Sequence, residues 1–265
     1  MLYVLEKEGR MKTVFICKDD FENMMSAVYD GWVRMLEGAE VEIITGEVFD
    51  RNFFCEYVEV TTDYEKARRV VRSIRQKISE QAFQDIFYAA CHFDPMRVNA
   101  IFQYLQVGFR IGGRVVQRLS DSRVMRIMEL SRKVKNEAHN YLGFVRLSEI
   151  QFSGNAILIG FIKPKCNILY LIGDHFEQRY PCENWLIYDE QRSMCAVHEK
   201  GGIWYIRTGV EITEGQKKGW NQRGEYEKLW KTFVQSIAIS GRKNLKCQQQ
   251  HLPKWYRSNM TEWKK

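Results

Sequence analysis

Proline, long apolar runs and a leader-like N-terminus are what this chain lacks. Its 265 residues include only four prolines, which excludes a Pro-rich linker architecture and collagen-like order. The longest apolar runs, at 156–162 and 168–172, are far shorter than the roughly 18 residues that a membrane helix needs. Residues 1–10 carry four charged side chains and no apolar core, unlike a signal peptide. We therefore expect a cytoplasmic protein that makes no use of a membrane.

Metal-binding and catalytic signatures are also missing. The seven cysteines form no C-x-x-C pair and the five histidines are scattered, so the spacing gives no zinc, iron–sulfur or disulfide framework. Reduced, mostly buried thiols are the simplest interpretation, with a lone nucleophilic cysteine as the alternative. There is no P-loop, G-x-G-x-x-G, G-x-S-x-G or H-E-x-x-H motif and no zinc-deaminase pattern. The sequence predicts neither a metal site nor a cofactor.

Positive charge is concentrated in two segments. The chain carries 40 Lys+Arg against 33 Asp+Glu, a net charge of +7. Counted along the sequence, residues 1–62 carry −7, 63–146 carry +8, 147–214 carry −3 and 215–265 carry +9. Such segregation favours a basic surface for a polyanion, most often nucleic acid, and predicts that the two basic segments share a face. The alternative is a set of solvated helix faces that the acidic segments partly neutralise.

The apolar pattern predicts an α+β protein whose first half is mainly helical. One of its helices, which begins near residue 63, has an apolar face and an opposite row of arginines at 68, 69, 72 and 75. The elements expected up to residue 143 are a strand at 12–17, a helix at 19–36, weak strands at 41–44 and 57–61, and helices beginning near 63, 79, 94 and 121.

After residue 143 the pattern changes to that of an antiparallel sheet with one inserted helix, closed by a C-terminal helix and a basic tail. The expected elements are a hairpin of 145–152 with 156–163, a helix at 167–180, a meander of strands at 185–189, 194–199 and 203–207, and a helix at 225–240. The predicted organisation is a β/α element at 1–62, a helical region at 63–143, an antiparallel β region at 144–212 and a basic helix and tail at 220–265, all within one compact domain spanning about 11–262.

One helix brings candidate site residues into a row. At about 100° per residue, Arg132, Lys135 and His139 lie along the edge of the apolar face of the helix that begins near residue 121. Cations in such a row fit a phosphate, and His139 fits a donor or a proton shuttle. Glu137 lies roughly opposite His139, so the two do not form an acid–base pair within the helix. The alternative is a boundary histidine paired with a carboxylate or a backbone oxygen.

Basic and aromatic residues alternate in the tail after residue 241. Cations engage phosphates, and aromatic faces stack on unpaired bases. We therefore predict nucleic-acid contacts there, with a strap whose aromatic rings dock on the core as the alternative. The residues assigned to this contact are Arg242, Lys243, Lys254, Trp255, Tyr256 and Arg257.

Four groups of residues, in their order and spacing, resemble a bacterial family described as probable DNA metabolism protein. They are Tyr104-Leu105 with Gly108-Phe109-Arg110; Glu137-Ala138-His139 with Gly143-Phe144-Val145-Arg146; Asp174-His175-Phe176 with Arg179, Pro181 and 185–189; and a C-terminal set from Leu229-Trp230 to Met260-Thr261-Glu262. The resemblance covers nearly the whole chain from about Met11. Residues 1–10 precede the usual start of the family, so either Met11 is the initiator or they form an additional segment.

The resemblance implies a context and no mechanism. Members are encoded beside a radical-SAM protein assigned to DNA repair or modification. Some members are fused to a uracil-DNA-glycosylase-like domain, an extension that we expect this chain to lack. The shared polar positions, among them Glu137, His139, Arg146 and Asp189, would then line a cleft between the helical block and the sheet. The structural alternative is a buried ion-pair network that fixes the junction.

These observations lead to one function hypothesis and two alternatives. The first is an accessory protein for DNA repair or modification that binds nucleic acid and works with the radical-SAM partner. The second is an enzyme acting on a nucleic acid or nucleotide, with His139 as acid–base group, Glu137 or Asp189 as its carboxylate, and Arg132 and Arg146 holding phosphate. The third is a scaffold that binds its protein partner without contacting nucleic acid.

Overall fold

The computed structural model divides the chain into two compact units, residues 1–135 and residues 136–265. It describes residues 11–46, 51–152, 154–213 and 244–263, together with the single positions 215, 229, 232, 233 and 236. The helix expected at 225–240 therefore lies almost wholly outside the described residues. Within the described part of the chain, no helix is both long and apolar enough to cross a membrane.

A parallel three-stranded sheet opens the first unit. Its strands are β1 (Lys12–Cys17), β2 (Val41–Thr45) and β3 (Cys55–Glu59), in the order β2-β1-β3. Both neighbours run parallel to β1, so that Phe15 lies opposite Ile43 on one side and Val58 on the other. The strand predicted at 12–17 is confirmed. The parallel pairing was not predicted, because the sequence alone does not reveal which strand a short apolar run will join.

Five helices complete this unit and extend beyond it. They are α1 (Phe21–Leu36), α2 (Tyr64–Lys77), α3 (Glu80–Ala90), α4 (Arg97–Ile111) and α5 (Ser122–Phe144), with a 3-10 turn at Gly112–Gln117 after α4. The unit boundary falls within α5. These helices confirm the helical reading of the region after residue 63.

Side-chain caps explain most of the helix starts. Asp20 accepts from the Asn23 amide at the start of α1, and Ser79 accepts from Ala82 at the start of α3. At α2 the cap is Asp63, which accepts from two amides of the first turn. The helix expected from Asp94 begins later, at Arg97, because the Asp94 carboxylate accepts from the Met96 amide and holds residues 94–96 in a turn.

A mixed five-stranded sheet forms the second unit. Its strands are β4 (Leu147–Phe152), β5 (Asn155–Ile162), β6 (Trp185–Asp189), β7 (Met194–His198) and β8 (Tyr205–Thr208), in that spatial order. The predicted hairpin of β4 with β5 and the meander of β6, β7 and β8 are confirmed.

The prediction of a wholly antiparallel sheet is wrong at one pair of strands. β5 and β6 run parallel, with Gly160 opposite Ile187. Between them the chain forms α6 (Leu169–Arg179), the inserted helix that the sequence predicts. A strand–helix–strand crossover returns the chain to the end where the first strand began, so the two strands share a direction. The inserted helix is therefore the cause of the parallel pair.

The second unit closes with short elements from the tail. Helix α7 (Leu245–His251) begins at Asn244, whose side chain accepts from the Cys247 amide. Two 3-10 segments, Lys254–Asn259 and Thr261–Trp263, follow it. These elements place the described part of the basic tail against the rest of the second unit.

Candidate nucleic-acid interface

The tail is held by aromatic packing on the C-terminal end of α5. The Tyr256 ring lies 5.1 Å from the rings of both Tyr141 and Phe144, and its hydroxyl accepts from the Asn140 amide at 3.3 Å. Burial raises the pKa of Tyr256. Met260 is also buried. Tyr256 therefore docks on the protein itself, as the strap alternative described.

Two of the predicted phosphate-binding arginines have partners within the second unit. Arg146 forms a two-pronged ion pair with Glu262, at 2.8 and 3.4 Å, and donates to the carbonyl of Gly143. Arg257 donates twice to the carbonyl of Leu252, and its guanidinium lies 4.0 Å from the centre of the Trp263 ring. Arg146 thus joins the tail to the residues after α5, and Arg257 stabilises the tail internally.

The loop between β5 and α6 alternates between exposed cations and buried residues. Lys163 and Lys165 are exposed, whereas Pro164 and Cys166 between and after them are buried. This alternation turns both ammonium groups to the same side of the loop. Charge along the sequence does not mark these two lysines, because the segment 147–214 that contains them is acidic as a whole.

Two charged side chains, one of them buried, anchor this loop. The Glu137 carboxylate, 9% exposed, accepts from the amides of Lys165 and Cys166 at 2.9 and 2.8 Å. From the other side, Arg192 donates to the carbonyls of Pro164 and Lys165 at 3.3 and 2.5 Å. The loop backbone is therefore bound from both directions, which fixes where its lysines project.

Trp255 meets these lysines at the surface. Its indole is 39% exposed, and the Lys163 and Lys165 ammonium groups lie 6.0 and 5.5 Å from its ring centre. Lys254, next to it in the chain, is exposed as well. We call Lys163, Lys165, Lys254 and Trp255 the tryptophan–lysine cluster. It combines a stacking surface with three cations, which is what single-stranded nucleic acid requires.

The three predicted catalytic residues do not come together. His139 is exposed on α5, whereas Glu137 is buried and both of its oxygens accept backbone hydrogen bonds. Asp189 is fully buried at the end of β6, where it accepts from the Gln191 amide and pairs with Arg192 at 3.1 Å. Burial raises the pKa of Asp189 in spite of Arg192. The two carboxylates hold backbone and ion-pair positions, as the structural alternative described.

The remaining predicted cations are placed as follows. Arg132 is exposed on α5. Lys135 lies 3.3 Å from the buried carboxylate of Asp85 and 4.4 Å from the centre of the Tyr88 ring. Arg242 and Lys243 lie outside the described residues. Among the residues that can be described, no group of three or more His, Cys, Asp or Glu side chains is arranged to hold a metal ion.

A polar network surrounds the buried Arg97 in the first unit, and no pattern in the sequence marks it. Arg97, 3% exposed, donates to the carbonyls of Ala90 and Asp94 and to the Asp19 carboxylate at 2.5 Å. Asp94 also pairs with Arg126. Asp19 follows β1 directly, so the network meets the carboxyl end of the central parallel strand. The network spans residues 19–126, and its longest single link joins residues 78 positions apart, so no local spacing indicates that its members meet.

His92 sits beside this network as a neutral ring. It is 4% exposed, its Nδ1 accepts from the Asp94 amide at 3.0 Å, and its Nε2 has no partner among the described atoms. Burial, followed by the nearby charge of Lys133, lowers its pKa from 6.5 to about 4. Between pH 6.5 and about 4, His92 is therefore protonated in the unfolded chain and neutral in the folded protein.

We expect His92 to make the protein sensitive to mild acid. As the pH falls from 6.5 to about 4, the free energy of unfolding should drop by about 1.4 kcal/mol per pH unit, or about 3 kcal/mol in all, relative to a variant that cannot titrate. His92→Asn is that variant, since an amide oxygen can replace Nδ1 as the acceptor. Urea unfolding followed by circular dichroism at several pH values measures the difference. Parallel pH curves for the two proteins would contradict the expectation.

Comparison with known proteins adds a family and no function. No curated protein matches the chain. A solved structure described as a "putative family II inorganic pyrophosphatase" from Methanococcus jannaschii aligns with 80% of this chain and 100% of its own, at 12% identity and a TM-score of 0.20. That similarity is too low to support an argument about fold or chemistry. The model of a family described as a domain of unknown function, DUF4130, matches residues 95–262. Because this match spans more than half of the residues, the chain belongs to the DUF4130 family.

Proposed function

We propose that this protein binds single-stranded nucleic acid as an accessory factor in DNA repair or modification, together with a radical-SAM partner. The observation that carries the proposal is the tryptophan–lysine cluster. An exposed indole next to three exposed cations offers a base a stacking surface and its neighbouring phosphates a set of counter-charges. The family resemblance of the sequence supplies the DNA context and the partner.

The anchored loop supports a binding role. Long lysine side chains lose conformational entropy when they are fixed by a ligand. Here Glu137 and Arg192 already hold the loop backbone that carries Lys163 and Lys165, so binding need not order that backbone. Preorganisation of this kind lowers the cost of binding.

The acid–base alternative has less support. His139 has an exposed ring, and the carboxylates proposed for it are occupied by backbone amides or by Arg192. A general base needs a carboxylate or substrate proton within hydrogen-bond reach. We therefore favour binding over catalysis as the function of the second unit.

We expect Trp255→Ala to weaken binding of a short oligothymidylate by about 1–3 kcal/mol, because the stacking surface is removed. Lys163→Gln with Lys165→Gln should weaken binding at low salt and reduce the slope of log affinity against log salt by about 1.4, or about 0.7 for each lost phosphate contact. Fluorescence anisotropy across a salt series measures both.

Lys200→Gln is the matched control, since it removes an exposed lysine from the same unit at a turn away from the cluster. It should leave the slope unchanged. A wild-type protein that shows no affinity at low salt, or an affinity that ignores salt, would refute the proposal. A stable complex with the radical-SAM partner that excludes nucleic acid would favour the scaffold function instead.

A further inference from the structure

A second basic and aromatic surface lies in the first unit, far in sequence from the tryptophan–lysine cluster. A cleft of about 520 Å³ opens between the start of α1 and the exposed face of α2. Its floor is apolar, and its rim carries three arginines of α2 and one tyrosine. Its lining includes Phe21, Tyr64, Arg68, Val71, Arg72 and Arg75, with Glu22 as the acidic member.

The spacing of the arginines follows from the helix. Positions 68, 72 and 75 lie on one face of α2, separated by four and then three residues. With a rise of about 1.5 Å per residue, the row is about 10 Å long. Successive phosphates of a single strand are less than about 10 Å apart, so the row can contact two to three of them.

The three arginines differ in whether a carboxylate pairs with them. Arg68 pairs with Glu65 at 2.9 Å, and Arg75 pairs with Glu80 at 3.2 Å while lying 4.0 Å from the centre of the Phe83 ring. Arg72, between them, is exposed and has no carboxylate within 4 Å among the described residues. The middle of the row therefore lacks a counter-charge, and an anionic ligand would supply it.

Aromatic residues flank the row on the cleft side. Tyr64, at the first position of α2, is 64% exposed, and Phe21 is half-buried at the first position of α1. Phe21 is held in place by edge contacts to the rings of Phe83 and Phe87. Large exposed aromatic side chains beside arginines offer stacking and cation–π contacts to a planar base. An acidic peptide would form ion pairs with the arginines but would offer no planar base to stack on Tyr64.

We propose that this cleft is a binding site for two to three nucleotides of single-stranded nucleic acid, with Arg72 at its centre and Tyr64 as its stacking residue. The inference rests on the proposed nucleic-acid function and assigns it a second contact in the first unit. Glu22 opposes the ligand charge from within the same lining. Burial, followed by a hydrogen bond with Asp20, raises the pKa of Glu22.

The test is anisotropy titration of the full chain with a labelled oligothymidylate of about 15 nucleotides. Arg72→Gln should weaken binding about fivefold and reduce the salt slope by about 0.7. Glu22→Gln should tighten binding about twofold, because it removes a repulsive charge from the same cleft. Tyr64→Ala should weaken binding of the oligothymidylate and leave an abasic oligomer of equal length unaffected. Thermal unfolding of each variant verifies that it is folded.

Arg69→Gln is the matched control. It removes the same charge from the same helix, but Arg69 lines a different groove, beside Trp32 and Phe109. Equal losses for Arg72→Gln and Arg69→Gln would show diffuse attraction and overturn the cleft. Polyglutamate competing as well as the oligothymidylate would assign the cleft to an acidic protein segment, which also overturns it.

Failure of this inference is distinguishable from failure of the proposed function. If Arg72→Gln and Tyr64→Ala bind like the wild type while Trp255→Ala does not, the cleft is refuted and the tryptophan–lysine cluster remains. If the wild-type protein does not bind the oligothymidylate at low salt, both are refuted.

Discussion

Glu137→Ala is expected to lower the free energy of unfolding of the second unit by about 4 kcal/mol. The carboxylate accepts two backbone hydrogen bonds, from Lys165 and Cys166, in a buried position. Hydrogen bonds to a charged group contribute about 1.5–3 kcal/mol each, and their loss would leave two amides without a partner. Glu137→Gln should lower the free energy of unfolding by about half as much. Its side-chain oxygen can still accept one of the two hydrogen bonds, but its NH2 group is a donor and cannot accept the other.

Tryptophan fluorescence during urea unfolding is a suitable measurement, because six of the seven tryptophans lie in the second unit. The control is Glu149→Ala on β4, where an exposed carboxylate accepts only from a neighbouring glutamine side chain. That variant should change stability by no more than about 0.5 kcal/mol. If Glu137→Ala were as mild as Glu149→Ala, the anchoring role of Glu137 would be wrong.

Arg192→Met is expected to destabilise the same unit by a similar amount, about 4 kcal/mol. Methionine retains much of the aliphatic volume but removes the charge. The fully buried carboxylate of Asp189 would then lose its charged partner and keep the backbone amides of residues 191 and 192. Removal of one member of a buried ion pair costs about 3–5 kcal/mol, because the other charge is left uncompensated. The carbonyls of Pro164 and Lys165 would lose their donor as well.

The pH dependence of this loss has a defined sign. Burial already raises the pKa of Asp189, and the absence of Arg192 raises it further. As the pH falls, the variant protonates the carboxyl group before the wild type does, and the buried charge disappears. The deficit of Arg192→Met should therefore be smaller in mild acid than at neutral pH.

Arg207→Met on β8 is the matched control for Arg192→Met, since Arg207 is exposed and its guanidinium lies 5.8 Å from the centre of the Tyr205 ring. Adding Asp189→Asn to Arg192→Met should recover part of the loss by removing the stranded charge. A double variant less stable than Arg192→Met would contradict the ion-pair explanation.

The sequence predicted local structure better than pairing. β1 and β6 were predicted at their observed bounds because apolar runs with polar flanks mark short strands. The prediction of an antiparallel sheet was wrong for β5 and β6, which are parallel, because the pairing of strands depends on the whole fold. The start of α4 was predicted at Asp94 but lies at Arg97. The cause is local, because the Asp94 carboxylate accepts from the Met96 amide and holds these residues in a turn.

The candidate site was harder to predict for a physical reason. Glu137 acts on backbone amides 28 and 29 residues away, and an amide is present at almost every position, so no residue type marks its partner. The lysines at 163 and 165 lie in a segment of net negative charge and became relevant only once Trp255 was placed beside them. The arginine row of α2, by contrast, follows from helical periodicity and was visible in the sequence.

The ion pair of Arg146 with Glu262 bears on how the protein is made. Its members are separated by 116 residues, so during synthesis Arg146 leaves the ribosome long before its partner exists. The parallel sheet of the first unit has all its strands within residues 12–59 and can assemble much earlier. Folding should thus proceed in order along the nascent chain, with the second unit incomplete until residue 262 emerges.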